Sequence, residues 1–196
     1  GAVKALVTGA TGFVGSHVVD VLAARGDAVV VLARSAARAA PLAHRGARVA
    51  LGTLDDDAAL SAAVAGVAVV YHLAGLTAAV TAAEYLRVNE DGTRRLVEAV
   101  LAASPRPHLV YVSTQAVLGP SAPGEALAED APCQPLTAYG RSKLAGETVV
   151  RAAAGLAWTI VRPPAVYGPR DREFLKMFQL VRTGFAPVFG TDAQQL

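Results

Sequence analysis

The chain has 196 residues, 53% of them hydrophobic, which is ample for one domain with a real core. Its formal net charge of +2 is too small to point to nucleic acid or an anionic membrane surface. The single cysteine, Cys133, leaves no intramolecular disulfide, and the N-terminus lacks a basic and apolar leader, so a reducing, cytoplasmic setting is expected.

Residues 4–16 read KALVTGATGFVGS. Ala5, Leu6 and Val7 form the short apolar run of a buried parallel strand. Gly9, Gly12 and Gly15 follow at the spacing G-x-x-G-x-x-G, and Phe13, Val14, His17, Val18, Val21 and Leu22 continue at helical spacing until Gly26. The first glycine lets the chain turn, the second lets the backbone approach a pyrophosphate, and the third lets the helix sit close on the sheet. The helix N-terminus then offers N–H groups and a positive dipole end to phosphates. Strand, glycine turn and helix together predict dinucleotide binding by Gly9, Thr11, Gly12, Phe13 and Val14.

A second strand is expected over 28–32, fed by the Gly26-Asp27 turn. An acidic residue just past it would hydrogen-bond the ribose of NAD; here Ala33 stands in that place. Arg34, with Ser35 and Arg38, suits a 2′-phosphate instead, so NADP is favoured and NAD is the alternative. A third strand covers 48–51. Asp55, Asp56 and Asp57 read as the cap and first turn of a helix over 58–65; as a metal site they fail, because adjacent carboxylates on a helix diverge. Residues 58–83 carry no Asp, Glu, Lys or Arg, but Gly66, Tyr71, His72, Gly75, Thr77 and Thr81 break them, and a strand with loops is expected rather than a membrane span.

The fourth strand, VAVVYHL over 67–73, ends in Ala74-Gly75, and His72 reads as a core residue. Residues 78–103 read as one long helix, with Thr81 the place for any break, ended by Pro105 and Pro107. A fifth strand, 108–113, delivers Ser113 and Thr114 at its C-terminal end, where open α/β sheets put their chemistry. Residues 120–136, rich in Pro, Gly, Ala and acid, read as a loop over the site. Cys133 lies there with no sequence neighbour of positive charge, and is expected to be inert.

Next comes TAYGRSK, 137–143, opening a helix to about 154 with Thr137 as its cap. Tyr139 and Lys143 are one turn apart and share a face. A phenol titrates near pH ~10, and an ammonium one turn away favours the phenolate. Y-x-x-x-K alone also describes any amphipathic surface helix; following a strand that ends in Ser-Thr inside a dinucleotide fold, it points to acid–base catalysis. A sixth strand, 157–161, runs into RPPAVYGP, 162–169. A last helix is expected over 171–183, and 185–196 show no pattern long enough to form an element.

These motifs, in this order, resemble the extended short-chain dehydrogenase/reductase superfamily, the NAD-dependent epimerase/dehydratase family. TGATGFVGS is similar to its cofactor loop, VNEDGT (88–93) to its VNxxGT element, STQAVLG (113–119) to its S-[ST]-x-x-x-[VL]-[YF]-G segment, and RPPAVYGP to its RP-x-x-[VI]-Y-G-P segment. The resemblance implies a doubly wound parallel sheet, a Rossmann fold with helices on both faces and the cofactor at the switch between strands one and four. It implies catalysis by Thr114, Tyr139 and Lys143. Cofactor contacts extend to Leu54, to Leu73, Ala74 and Gly75, to Tyr139 and Lys143, and to Pro163 and Val166. It divides the chain into a cofactor-binding unit, 1–161, and the start of a substrate region, 162–196, that is expected to be incomplete.

Nucleotide-sugar epimerases usually carry Asn where Ala165 stands. Pro163-Pro164-Ala165 looks more like the branch acting on steroids, flavonoids and other carbonyl compounds. Three functions compete: an NAD(P)(H)-dependent reductase or dehydrogenase of a small carbonyl or alcohol, a nucleotide-sugar epimerase or dehydratase with tightly held NAD, and a non-enzymatic dinucleotide-binding protein. The resemblance also implies a homodimer through the helices at 78–103 and 137–154, a small-molecule substrate, and no membrane or nucleic-acid partner.

Overall fold

The structure, a computed structural model, describes residues 1–185 apart from 123 and 125. Among the described residues, six strands form one parallel sheet in the order β3-β2-β1-β4-β5-β6. They are β1 (Lys4–Thr8), β2 (Ala28–Ala33), β3 (Arg48–Leu51), β4 (Val69–His72), β5 (His108–Val112) and β6 (Trp158–Val161). Leu6 faces Val30 of β2 on one side and Val70 of β4 on the other. The chain therefore winds outward from β1 to β3 and then returns to the far side of β1. The crevice between β1 and β4 is the switch point expected from the sequence.

The central strands β1 and β2 are apolar along their length because both faces are covered. Leu6, Val30, Leu32, Val70, Leu109 and Tyr111 meet Leu60 and Val64 of α3 (Asp57–Val64), Leu96, Val97 and Val100 of α5 (Gly92–Ala102), and Val149 and Val150 of α6 (Ala138–Ala152). Ala5, Val7, Val29 and Val31 meet Val19 and Leu22 of α1 (Phe13–Ala24) and Leu42 of α2 (Ala36–Ala43). Helix α2 was not expected. It is short, holds Pro41 and buries only Ala39 and Leu42, so its apolar signal is weak; the Ser35 hydroxyl starts it by accepting from Arg38 N–H at 3.4 Å.

The helix expected over 78–103 begins later. Thr81 accepts from Glu84 N–H at 3.2 Å, and the Glu84 carboxylate accepts from Thr81 N–H at 3.2 Å, a capping box that sets the start of α4 (Ala82–Leu86). A single π-helical turn, Arg87–Asp91, links α4 to α5. The three adjacent carboxylates go to three partners: Asp55 to Arg87 at 3.2 Å, Asp56 to Ala59 N–H at 2.9 Å as the cap of α3, and Asp57 to Arg95 at 2.9 Å. No helix among the described residues is long and apolar enough to cross a membrane. The last helix, α7 (Glu173–Arg182), buries no residue. Of the patternless C-terminal stretch, 186–196 lie outside the described residues.

Candidate active site

The glycine turn is tight in two places. Gly9 has φ +71°, and a Cβ on it would lie 2.6 Å from the Ala74 backbone nitrogen, so the turn presses on the end of β4. A Cβ on Gly15 would collide with the Gly9 carbonyl, so the third glycine lets α1 close on the turn itself. Gly12 caps α1 without a side chain, and no acid stands in the first turn. The amide ends of α1 therefore stay free of a competing carboxylate, as an anion site requires. Beyond the end of β2, Thr11, Arg34, Ser35 and Arg38 line an open cavity of about 280 Å³. Two guanidinium groups beside a helix N-terminus fit a dinucleotide with a phosphorylated ribose.

A buried polar lattice fixes the floor of the crevice. His72 is wholly buried, its Nδ1 2.7 Å from the Thr8 hydroxyl and its Nε2 2.9 Å from the Thr93 hydroxyl. Thr93 donates to the Asn89 carbonyl at 2.8 Å, so His72 Nε2–H donates to Thr93 and Nδ1 accepts from Thr8. Burial, with the Lys143 ammonium adding to it, pushes the imidazole down to about 3. His72 is a neutral core residue, as the sequence predicts. Asn89, buried in the π turn, accepts from Leu76 N–H at 2.7 Å and donates to the Leu76 carbonyl at 3.0 Å and the Ser142 hydroxyl at 2.9 Å. It ties the loop after β4 to helix α6, a use of a π turn that recurs at functional sites.

Thr114 and Tyr139 come together. The Thr114 hydroxyl caps a 3-10 turn by accepting from Ala116 N–H at 3.2 Å, and it lies close enough to the Tyr139 phenol to act on its ionisation. Thr137 caps α6 as expected, accepting from Gly140 N–H at 2.9 Å. Lys143, 4% exposed, holds its Nζ 4.3 Å from the centroid of the Tyr111 ring. Burial pulls this ammonium down to about 8, with Glu147 acting against it. The phenol of Tyr139 moves up rather than down as expected: half-burial raises it, the nearby Thr114 hydroxyl opposes that, and Tyr85 adds to the rise. The reason is that Lys143 sits over Tyr111 while Tyr139 sits against Thr114 and Tyr85, the last two rings 6.1 Å apart.

The remaining predicted contacts fall into place unevenly. Leu73 and Ala74 abut Gly9, and a Cβ on Gly75 would lie 3.8 Å from Lys143 Nζ. The Pro163 carbonyl accepts from Gln115 N–H at 3.0 Å, extending the β5–β6 pairing toward Thr114. Val166 and Val14 are exposed, and Phe13 faces Gly168. The segment is pinned to α1 by His17, whose Nε2 donates to the Pro169 carbonyl at 2.8 Å and whose Nδ1 accepts from Arg170 at 2.5 Å. Leu54 is half-buried and packs its side chain against Gly92 at the edge of the core.

Two residues escaped the sequence reading. Glu147, wholly buried, is met by Arg162 through Nε–Oε1 at 2.9 Å and Nη2–Oε2 at 2.7 Å. Arg162 Nη2 also lies 3.2 Å from Cys133 Sγ, so the cysteine has a cationic neighbour after all, supplied across the fold. The one signal in the sequence is a glutamate four residues past Lys143 on the same helical face. The Ser113 hydroxyl is buried close enough to Glu147 to favour the carboxylate but without the geometry of an ordinary hydrogen bond.

A family model described as the NAD dependent epimerase/dehydratase family matches residues 5–183. The chain belongs to the NAD-dependent epimerase/dehydratase family. Within it, the chain is 40% identical over 189 residues to ceramide reductase of Caulobacter vibrioides, covering 96% of this chain and 54% of that protein. It is 36% identical over 200 residues to UDP-glucuronate 4-epimerase 1 of Arabidopsis thaliana, covering 93% and 47%. The crystal structure of a double mutant of DesIV, dTDP-glucose 4,6-dehydratase from Streptomyces venezuelae with NAD and DAU bound, matches with a TM-score of 0.83 and 29% identity, covering 95% of this chain and 64% of that one. The chain spans about half the length of the curated relatives it matches. Reductases, epimerases and dehydratases thus stand side by side among the family members similar to this chain.

Proposed function

We propose that this family member is an NAD(P)(H)-dependent oxidoreductase acting on a small carbonyl or alcohol. The observation that carries the reading is the placement of Thr114 just past β5 beside Tyr139 at the start of α6, with Lys143 one turn further along the same helix. The residues proposed to hold the cofactor are Gly9, Thr11, Gly12, Phe13 and Val14 at the pyrophosphate. Arg34, Leu54, Leu73, Ala74 and Gly75 serve its adenosine side and approach. Tyr139, Lys143, Pro163 and Val166 serve the nicotinamide side. When bound, the nicotinamide exchanges a hydride with the substrate carbon.

Tyr139 gives its proton to the substrate oxygen in reduction and takes it back in oxidation. A phenol held above its ordinary value stays protonated at neutral pH, the form that donates to a carbonyl. Thr114 donates to the same oxygen, so charge developing there meets fixed donors. Lys143, one turn along α6, holds ribose hydroxyls. The 280 Å³ cavity between Arg34 and Arg38 supports NADP over NAD. Residues 1–161 form the cofactor unit, and 162–196 begin the substrate region; the cluster of Tyr167, Phe174 and Phe178, with Tyr167 and Phe178 exposed, supports that division. A soluble cytoplasmic homodimer built on α4, α5 and α6 completes the reading, and sedimentation equilibrium tests it.

The similarity to UDP-glucuronate 4-epimerase 1 favours a second reading, epimerisation or dehydration with a cofactor regenerated in each cycle. Net consumption of NADPH in the presence of a carbonyl panel separates the two. Fluorescence titration with NADPH and NADH comes first: clearly tighter NADPH binding supports the reductase, and equal or tighter NADH binding moves weight to the epimerase.

A further inference from the structure

Tyr111 has no exposed surface. Its strand, β5, lies between β4 and β6, and Tyr111 pairs with His72 on one side and Ile160 on the other, so its backbone is fixed in the sheet. Its ring lies 5.5 Å from that of His72. Burial holds the phenol well above its ordinary value, so it is protonated and the ring is uncharged at neutral pH.

This side chain meets Lys143 twice. Its hydroxyl donates to the Lys143 carbonyl at 3.3 Å, and its ring takes the Lys143 ammonium, with Nζ 4.3 Å from the centroid. One rigid group on β5 thus holds the lysine by its backbone and by its head. Helix α6 comes that close because residue 146 is glycine: a Cβ there would sit 2.7 Å from the Asn89 carbonyl and would collide with the Tyr111 hydroxyl. The ammonium also stands near the end of β4, where a Cβ on Gly75 would lie 3.8 Å from Nζ. Lys143 is only 4% exposed, and a buried ammonium is costly without a partner. Among the described residues no carboxylate pairs with it. Glu147, one turn on, is taken up by Arg162 at 2.9 and 2.7 Å, with Arg151 3.7 Å away. The partner that the ammonium does have is the negative face of an aromatic ring, a contact worth most where water is excluded.

We propose that Tyr111 is a positioning residue for Lys143: its ring seats the ammonium and its hydroxyl fixes the turn of α6 that carries it, so that the lysine is in place before the cofactor ribose arrives. The proposal rests on the reading of Lys143 as the lysine that holds the ribose hydroxyls. Tyr111 is wholly buried and acts only through Lys143. A head group ordered in advance costs the cofactor less to bind.

The chain has three lysines, Lys4, Lys143 and Lys176, so the seat can be read directly by NMR of protein carrying 13Cε-lysine. The Lys143 signal is identified by its loss in Lys143→Arg. Its ε-protons are expected well upfield of those of the other two, because a ring shields what lies over its face. Tyr111→Phe keeps the ring and the shielding; in Tyr111→Leu, Lys143 joins the other lysines. NADPH affinity, by fluorescence titration, is expected to fall about tenfold or more in Tyr111→Leu and to stay within about threefold in Tyr111→Phe. In a Lys143→Met background the Tyr111→Leu change has no further effect, which separates positioning from a general loss of packing. If Tyr111→Leu does not fold, phenylalanine with one, two and three ring fluorines is placed at 111. The volume barely changes, and affinity falls with each fluorine as the ring face loses its negative charge. An unshielded Lys143 in the wild type, a Phe variant as weak as the Leu variant, fluorines without effect, or equal losses with and without Lys143 overturns the proposal. The underlying reading of the site fails separately, if the shielding is present but Lys143→Met binds and consumes NADPH as the wild type does.

Discussion

Asn89 Nδ2 donates to the Ser142 hydroxyl at 2.9 Å, and Ser142 in turn donates to the Tyr139 carbonyl at 2.7 Å. A buried asparagine in the π turn thus reaches the backbone of the tyrosine while its carboxamide also satisfies both backbone groups of Leu76. Asn89→Leu keeps the volume but leaves the Leu76 N–H and C=O without partners. The expected loss is about 2–3 kcal/mol of stability, read by guanidinium denaturation. Cofactor affinity should fall at least about tenfold, since the loop after β4 loses its anchor. Unchanged stability would mean that water replaces the side chain at no cost.

Arg34 and Arg38 face one cavity with Thr11 and Ser35. Arg34→Ala is expected to weaken NADPH binding by about ten- to a hundredfold, the worth of one charge-assisted contact to phosphate, and to leave NADH nearly unchanged. Fluorescence titration of both nucleotides against wild type and variant measures this. Equal losses for the two would remove the 2′-phosphate role and leave Arg34 an exposed strand-end arginine.

Stability should fall toward acid in two windows. His72 is held neutral, pushed down to about 3 by burial and by Lys143, whereas an unfolded histidine takes its proton near 6.5. Its contribution is complete above pH 6.5 and is lost as pH falls from there toward 3, on the order of a few kcal/mol in all. Burial pushes Glu147 up, but its bonds to Arg162 more than offset that and leave it below the usual 4.5. Its contribution is present above 4.5 and is lost below. Denaturation midpoints measured across this range should therefore begin to drop before pH 5, and His72→Gln should flatten the first window. A flat wild-type profile between 6.5 and 4.5 would contradict the assignment of His72 as a neutral buried group.

What the sequence made legible is what is local. Gly9, Gly12 and Gly15 sit within seven positions of one another, and each spacing states a backbone requirement that the turn then meets. The central strands showed because burial on both faces leaves unbroken apolar runs, and the edge strands β3 and β6 showed as short apolar stretches between loop signals. Tyr139 and Lys143 showed because one helical turn separates them. Contacts across the fold did not show. Arg162 meets Glu147 from the end of another strand, and Arg162 also gives Cys133 the cation that its sequence neighbours lack. His17 holds Pro169 from 152 residues away. The direction of the Tyr139 shift was misjudged for the same reason: helical spacing puts Lys143 on its face, but the ring of Tyr111 on β5 decides where the ammonium lies. The late start of the helix at Ala82 was in the sequence as Thr81-x-x-Glu84, a capping box that the apolar run around it concealed.

The central claim, that Tyr139 moves the proton in a nicotinamide-dependent reduction, is tested most directly by following net NADPH oxidation against a panel of small carbonyl compounds. Wild type and Tyr139→Phe are compared at matched cofactor occupancy. The account predicts consumption of NADPH by the wild type and a loss of about a thousandfold or more in the variant, with NADPH affinity within about threefold of wild type. Turnover that survives in Tyr139→Phe, or a wild type that binds the nucleotide without ever consuming it, would contradict that claim.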